Sequence, residues 1–166
     1  RGDTYHTMEQ LTRYGEEDWF LLGDRDLATH IHRSALLRQG RTLSEVSDDL
    51  RTRLGLELRV LPMTNQAVAT HIRTPDGLLH FQEYMVRRRC ADEVLDVSFV
   101  GASAAKPAPG LLDLLKQAEA ILIAPSNPIV SIGSILAIPG VHDVLHEVSG
   151  MIVAVSPIVG GAPIKG

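Results

Sequence analysis

The feature that most constrains this chain is the place where its charges stop. Of the 16 basic and 20 acidic side chains in 166 residues, 13 and 16 lie in the first 96, which leaves seven for the last 70. A segment so poor in charge has to be mostly interior. Its apolar residues come in short unbroken runs, Ala120-Ile121-Leu122-Ile123-Ala124 and Met151-Ile152-Val153-Ala154-Val155, and not in alternation. Unbroken runs of this length suit strands of a parallel sheet covered on both faces. They fall far short of the roughly 20 residues needed to cross a bilayer. Helical patterns at 109–118 and 141–148 separate strand patterns at 95–100, 120–124 and 151–155. The rear of the chain therefore reads as a doubly wound, Rossmann-like, mostly parallel α/β sheet.

The front reads as helical. Asp3 or Thr4 can cap a first helix running through residue 14 and closed by Gly15. Gly23-Asp24-Arg25-Asp26 opens a second helical pattern ending at Gly40, and Thr42 with Glu45 three residues later is a capping-box signature for a third, ending near Gly55. Strand-favouring residues follow at 58–61, 67–73 and 78–81, with Thr74-Pro75-Asp76-Gly77 as the turn of a hairpin that has a neighbour. The organisation expected is one α/β domain with a helical portion at 1–56, an inserted hairpin portion at 57–91 and the Rossmann-like portion at 92–166. The chain opens on Arg1 instead of Met and ends at Gly166 within a glycine-rich stretch, so an incomplete domain, an internal fragment, is expected.

Composition narrows the function classes. The hydrophobic share of 45% and charged share of 22% exclude a disordered or low-complexity chain. A formal net charge of −4 leaves no basic tract for a phosphate backbone, and Arg87-Arg88-Arg89 reads as a solvated junction, so nucleic-acid binding is disfavoured. One cysteine, Cys90, cannot build a disulfide framework and suits a reducing compartment. With no membrane segment or signal-peptide pattern in view, the cytoplasm is the expected location.

In doubly wound sheets ligands sit beyond the carboxyl ends of the strands. Two segments in that position are specialised. Pro125-Ser126-Asn127-Pro128-Ile129-Val130-Ser131-Ile132-Gly133 carries hydroxyls, an amide and glycine without charge, and a loop of this kind can offer backbone N–H groups to an anion. Ser156-Pro157-Ile158-Val159-Gly160-Gly161-Ala162-Pro163-Ile164-Lys165-Gly166 pairs two glycines, which permit close backbone approach, with a point charge on Lys165. Both suit phosphate oxygens, although the same residues also simply make turns. Neither matches the spacing of a P-loop or a GxGxxG fingerprint.

A third candidate is Gly23-Asp24-Arg25-Asp26, with His30 one helical turn beyond Asp26. The carboxylates can hold a divalent cation or take a proton from an attacking hydroxyl, and Arg25 can brace a phosphoryl group. Helix initiation is the competing explanation, since Asp24 is a good N-cap and Asp26 complements the helix dipole. His142-Asp143-Val144-Leu145-His146 imitates the His-Glu-x-x-His signature of zinc proteases. Its shorter acid and the lack of a signposted third ligand argue against a zinc hydrolase.

Taken together, Leu22-Gly23-Asp24-Arg25-Asp26-Leu27-Ala28-Thr29-His30, Leu79-His80-Phe81-Gln82-Glu83-Tyr84, the 125–133 segment and the 155–166 segment resemble the 2-phospho-L-lactate transferase family, in the family's order and over nearly the whole chain. The resemblance implies a transferase of coenzyme F-420 biosynthesis. Such an enzyme moves a 2-phospholactate or phosphoenolpyruvate unit from a guanosine diphosphate-type donor to the deazaflavin Fo and releases GMP. The actinobacterial branch is the nearest, in keeping with 13 arginines against 3 lysines. Within this resemblance Asp24 and Asp26 are the catalytic candidates, for metal support or proton acceptance. Arg25, His30, Ser126, Asn127, Ser131, Gly133, Gly160, Gly161 and Lys165 are the substrate-binding candidates. Mg²⁺ is the implied cofactor, with its main ligands expected upstream of Arg1, and the complete protein is expected to be a homodimer that uses small-molecule substrates.

The sequence also departs from the family pattern. Where members often carry acids after Pro-Met in the hairpin region, this chain has Thr64-Asn65-Gln66; Leu21 replaces a basic residue found in some members, and Met85 an aromatic one. The family's glycine-rich opening strand and its acidic motif are expected to lie upstream, so the isolated 166 residues are expected to be inactive and prone to aggregate. The alternative function is a non-catalytic regulator of the same superfamily that binds a nucleotide-type ligand.

Overall fold

A computed structural model describes residues 2–163 of the chain. They divide into two compact units, one ending at Val60 and one beginning at Leu61.

The first unit is three helices, α1 (His6–Arg13), α2 (Asp24–Arg38) and α3 (Leu43–Arg53). All three end as the glycines foretell. Gly15, Gly40 and Gly55 take left-handed φ of +89°, +86° and +68°. In each case the next residue's amide reaches back to the carbonyl five positions earlier: Glu16 to Leu11, Arg41 to Leu36 and Leu56 to Arg51. This is the Schellman closure, and it favours glycine because no Cβ opposes the left-handed residue. Thr42 and Glu45 form the expected capping box at the start of α3, with the Thr42 amide 2.7 Å from Glu45 Oε2 and the Glu45 amide 3.3 Å from Thr42 Oγ1. Asp49 of α3 then accepts from His32 of α2 at 2.9 Å and from Arg53 at 2.7 Å. Val46, fully buried, and Met8 are the buried apolar side chains of this unit among the described residues.

The junction between the units differs from expectation. Residues 58–61 form no strand: Leu58 is 82% exposed and Pro62 follows, with no N–H to give a ladder. The hairpin is present as β1 (Ala69–Thr74) and β2 (Gly77–His80), in register Ile72 to Leu79, with Thr74 Oγ1 donating to the Gly77 carbonyl at 3.1 Å across the turn. Its neighbour is β3 (Asp96–Val100), which pairs antiparallel with β1, Ile72 opposite Val97. The 95–100 strand therefore belongs to the hairpin's sheet, in the order β2-β1-β3, and not to the parallel series. Its sequence explains this: Asp96 and Ser98 interrupt the apolar residues, which suits a half-buried antiparallel strand better than a strand covered on both faces.

The parallel pair is β4 (Ala120–Ile123) and β5 (Met151–Ala154), in register Ile121 to Ile152. Around it lie α4 (Leu111–Gln117), the short α5 (Gly133–Leu136) and α6 (Val141–Glu147). The core here joins Ala102, Ala105, Ile138 and Val141, against which Phe99, Leu112 and Leu145 pack. Gly150 permits the turn into β5, since a Cβ there would collide with the Ala118 carbonyl oxygen and approach that of Glu119 to 2.9 Å. A last hairpin, β6 (Ile158–Val159) and β7 (Ala162–Pro163), closes the described residues. No single helix among them is long and apolar enough to cross a membrane.

Candidate active site

The Gly23-Asp24-Arg25-Asp26 string is built into an exchange between two helix starts. Asp24 is the first residue of α2, but its carboxylate turns to α1. It accepts from the Thr4 hydroxyl at 2.5 Å, the Thr7 amide at 3.1 Å and the His6 amide at 3.2 Å. Asp3 does the converse, accepting from the Arg25 amide at 3.1 Å at the start of α2. Each helix is thus capped by an acid from the other's sequence. Neither Asp3 nor Thr4 caps the helix that immediately follows it, and Asp24 is not the cap of its own helix, a position held by Gly23. Gly23 is required for this exchange because a Cβ there would overlap the Asp3 carboxylate.

The consequence is chemical as well as structural. The Thr4 hydroxyl, then the contacts from Thr7 and the His6 amide, hold the Asp24 carboxyl down at about 2, against an ordinary 3.8. A carboxylate this stable as an anion is a weak proton acceptor near neutral pH. Among the described residues the Asp26 carboxylate and the Arg25 guanidinium make no hydrogen bond or ion pair, and both residues are exposed. His30, one turn on, has its Nδ1 2.7 Å from Arg33.

In the second unit, the segments after β4 and after β5 leave from the same end of the parallel pair, where the Val155 amide still donates to the Ile123 carbonyl at 3.0 Å. The 125–133 segment is more ordered than a loop. Pro128–Ile132 is a π-helical turn that runs into α5. Asn127 caps it, Oδ1 accepting from the amides of Ile129 at 2.9 Å and Val130 at 3.1 Å. An Asn followed by a proline at the first helical position is a helix-start signal, here set among turn-forming residues. The Asn127 side chain and two amides expected to face an anion are therefore occupied with each other. Gly133 packs against Phe99, where a Cβ would come within 3.2 Å of the ring and 3.4 Å of the Pro128 carbonyl oxygen.

Ser126 and Ser131, by contrast, reach the wall of a cavity of about 410 Å³ between β4, α4, α5 and α6. Leu115, Ile121, Ile123, Ile135 and Leu145 supply much of the remaining lining, so Ser126 and Ser131 are the polar residues of an otherwise apolar wall. Gly160 and Gly161 have φ of +61° and +84° and form the two-residue turn between β6 and β7, the left-handed pair that such hairpins demand. Lys165 lies outside the described residues. The neutral Thr64-Asn65-Gln66 run ties two segments together, since buried Thr64 donates to the Lys106 carbonyl at 2.6 Å and accepts from the Gln66 amide at 3.1 Å.

The sequence matches the family description "2-phospho-L-lactate transferase CofD" over residues 2–165. The chain belongs to this family. Similar proteins include the phosphoenolpyruvate transferase of Mycobacterium sp. (strain KMS), 46% identical over 173 residues that cover 100% of this chain and 52% of the relative. The protein of the same name from Streptomyces coelicolor is 46% identical over 169 residues, 99% of this chain and 53% of that one. This chain spans about half the length of the curated relatives it matches. The crystal structure of the protein BH3568 from Bacillus halodurans resembles it with a TM-score of 0.62 at 17% identity, over 80% of this chain and 41% of that one, a likeness of fold.

The described residues do not by themselves form a site for the Mg²⁺ that the resemblance implies. Among the described residues no group of three or more His, Cys, Asp or Glu can hold a metal ion. The Asp24 oxygens that would serve as hard ligands are already taken by Thr4, His6 and Thr7.

Proposed function

We propose that this chain is part of a transferase that moves a 2-phospholactate or phosphoenolpyruvate unit from a guanosine diphosphate-type donor to the deazaflavin Fo, releasing GMP. The observation that carries this reading is the family match across residues 2–165, with the Gly-Asp-Arg-Asp string and the Ser126 and Ser131 segment both inside it. The terminal ribityl hydroxyl of Fo attacks the phosphorus bearing the lactyl or enolpyruvyl group. The bond from that phosphorus to the GMP oxygen breaks, and the hydroxyl proton passes to a base. Within the second unit Ser126 and Ser131 are the candidates to donate O–H groups to the guanosine-side phosphates. Within the first unit Arg25 and Asp26 are the candidates to meet a phosphoryl oxygen and to accept a proton, while Asp24 holds the starts of α1 and α2. No step is routed through the metal, for which these residues provide no site.

Two substitutions in a full-length enzyme containing this chain separate these roles. Asp26→Asn is expected to lower kcat by about 10²–10⁴-fold with an unchanged melting temperature. Asp24→Ala is expected to lower the melting temperature by several degrees, and turnover only as far as folding suffers. Equal loss of turnover from both, with no loss of stability, would return Asp24 to the chemistry. Binding of Fo, followed by its fluorescence, distinguishes the transferase from a nucleotide-ligand-binding regulator: a full-length protein that binds the guanosine nucleotide but never Fo would favour the regulator.

A further inference from the structure

On α6 the residues alternate in purpose. Val141 and Leu145 face the cavity and Val144 is buried, while His142 and His146 stand exposed on the other side of the helix. Four residues apart, the two imidazoles are neighbours on one face. Their Nε2 atoms lie 3.3 Å from each other, with ring centroids 4.5 Å apart and planes inclined at 62°. Two neutral imidazoles at this distance either share one proton or present two lone pairs to a common centre.

The spacing is informative. Imidazole nitrogens held about 2.0–2.1 Å from a tetrahedral ion are about 3.3–3.4 Å apart. The pair already has this separation, so an ion that replaces their mutual hydrogen bond needs little change in the distance between them. The Asp143 carboxylate stands 4.0 Å from His142 Nδ1, on the side of the ring away from His146. That carboxylate adds negative charge beside the pair without occupying the Nε2 atoms. The neighbouring Glu147 adds a second negative charge on the same short helix.

We infer that His142 and His146 form a binding site for a borderline divalent cation of the Zn²⁺ type, chelated through both Nε2 atoms. Since no third His, Cys, Asp or Glu joins them among the described residues, water or an incoming anion completes the coordination. Neutral imidazole selects such ions over Mg²⁺, which prefers oxygen ligands, so this site is separate from the metal the family implies.

The test uses a full-length protein containing this chain with Zn²⁺ alone, read by the ring-nitrogen resonances of the seven histidines in these 166 residues. Addition of Zn²⁺ is expected to move the Nε2 signals of His142 and His146 together, leaving His6, His30, His32, His71 and His80 unshifted at the same ion concentration. His142→Asn and His146→Asn are each expected to weaken Zn²⁺ binding at least tenfold, and Asp143→Asn more modestly. Both histidines are exposed, so these variants are expected to keep the metal-free melting temperature, which shows that any loss is loss of a ligand. Unchanged affinity in either histidine variant, or Zn²⁺ signals that appear first at His71 and His80, would overturn the proposal. These results do not depend on transfer activity, so the site stands or falls apart from the proposed function.

Discussion

The helical unit and the sheet unit begin their helices by different physical means. In the first, acids and a hydroxyl do it: Asp24 for α1, Asp3 for α2, Thr42 with Glu45 for α3. In the second, glycines in left-handed conformations stand before α4 and α6, Gly110 at φ +80° and Gly140 at +83°, without a side-chain cap. The first unit thus starts its helices on ionised groups, whereas α4 and α6 of the second start on backbone conformation and the turn before α5 on the neutral Asn127 amide. The difference follows the charge asymmetry of the chain, and it gives the first unit carboxylates that the fold holds below their ordinary pKa.

The largest expected effect lies on the backbone side. Gly150→Ala puts a Cβ into the Ala118 carbonyl oxygen, so β5 cannot keep its register beside β4. A loss of about 2–3 kcal/mol is expected in denaturant unfolding of the second unit. A neutral result would mean that β5 has another way to dock.

Acid separates the two units. Asp24 has a folded pKa of about 2 against an ordinary 3.8, so its contribution is complete above about 4 and is lost as the pH falls towards 2. Asp49, held low first by Arg53 and then by His32, and Glu45, held low by the Thr42 amide, act in the same direction. Amide exchange in α1–α3 is expected to quicken over this range, while α4 and α6 stay protected. Uniform loss of protection would erase the distinction.

Gly23→Ala sharpens it. The new Cβ displaces Asp3 from the Arg25 amide, and the melting temperature of the helical unit is expected to fall by a few degrees. The smallest effect is a gain. Arg89 and Cys90 are consecutive non-glycine residues at φ +53° and +56°, a conformation that opposes their Cβ atoms. Arg89→Gly is expected to stabilise the second unit by about 0.5–1 kcal/mol in the same unfolding measurement.

Legibility follows locality. The glycine closures, the Thr42 box, the 74–77 turn and the two unbroken strands β4 and β5 depend on neighbours within a few positions, and the sequence displays them openly. The exchange of caps between Asp3 and Asp24 is not displayed in this way. Both acids announce a helix start, but which helix each serves is decided by residues some twenty positions away and by the missing Cβ of Gly23. The partner of β3 is hidden for the same reason, since a five-residue strand carries its pleat but not its neighbour's address. At the candidate site, Ser126 and Ser131 reach a cavity as a segment beyond β4 should, whereas Asn127 and Gly133 have helix-starting and packing duties. The Asn127-Pro128 signal for that helix is present in the sequence, but the turn-forming residues around it mask it.

Phosphoryl transfer to Fo is the central claim, and phosphorus NMR follows it directly. A full-length enzyme containing this chain, supplied with Fo and a guanosine diphosphate-linked lactate or enolpyruvate, is expected to convert the donor's two coupled diphosphate signals into equal amounts of a phosphodiester carrying Fo and the phosphomonoester GMP. Persistence of the diphosphate signals under conditions where Fo and donor are both bound would contradict it.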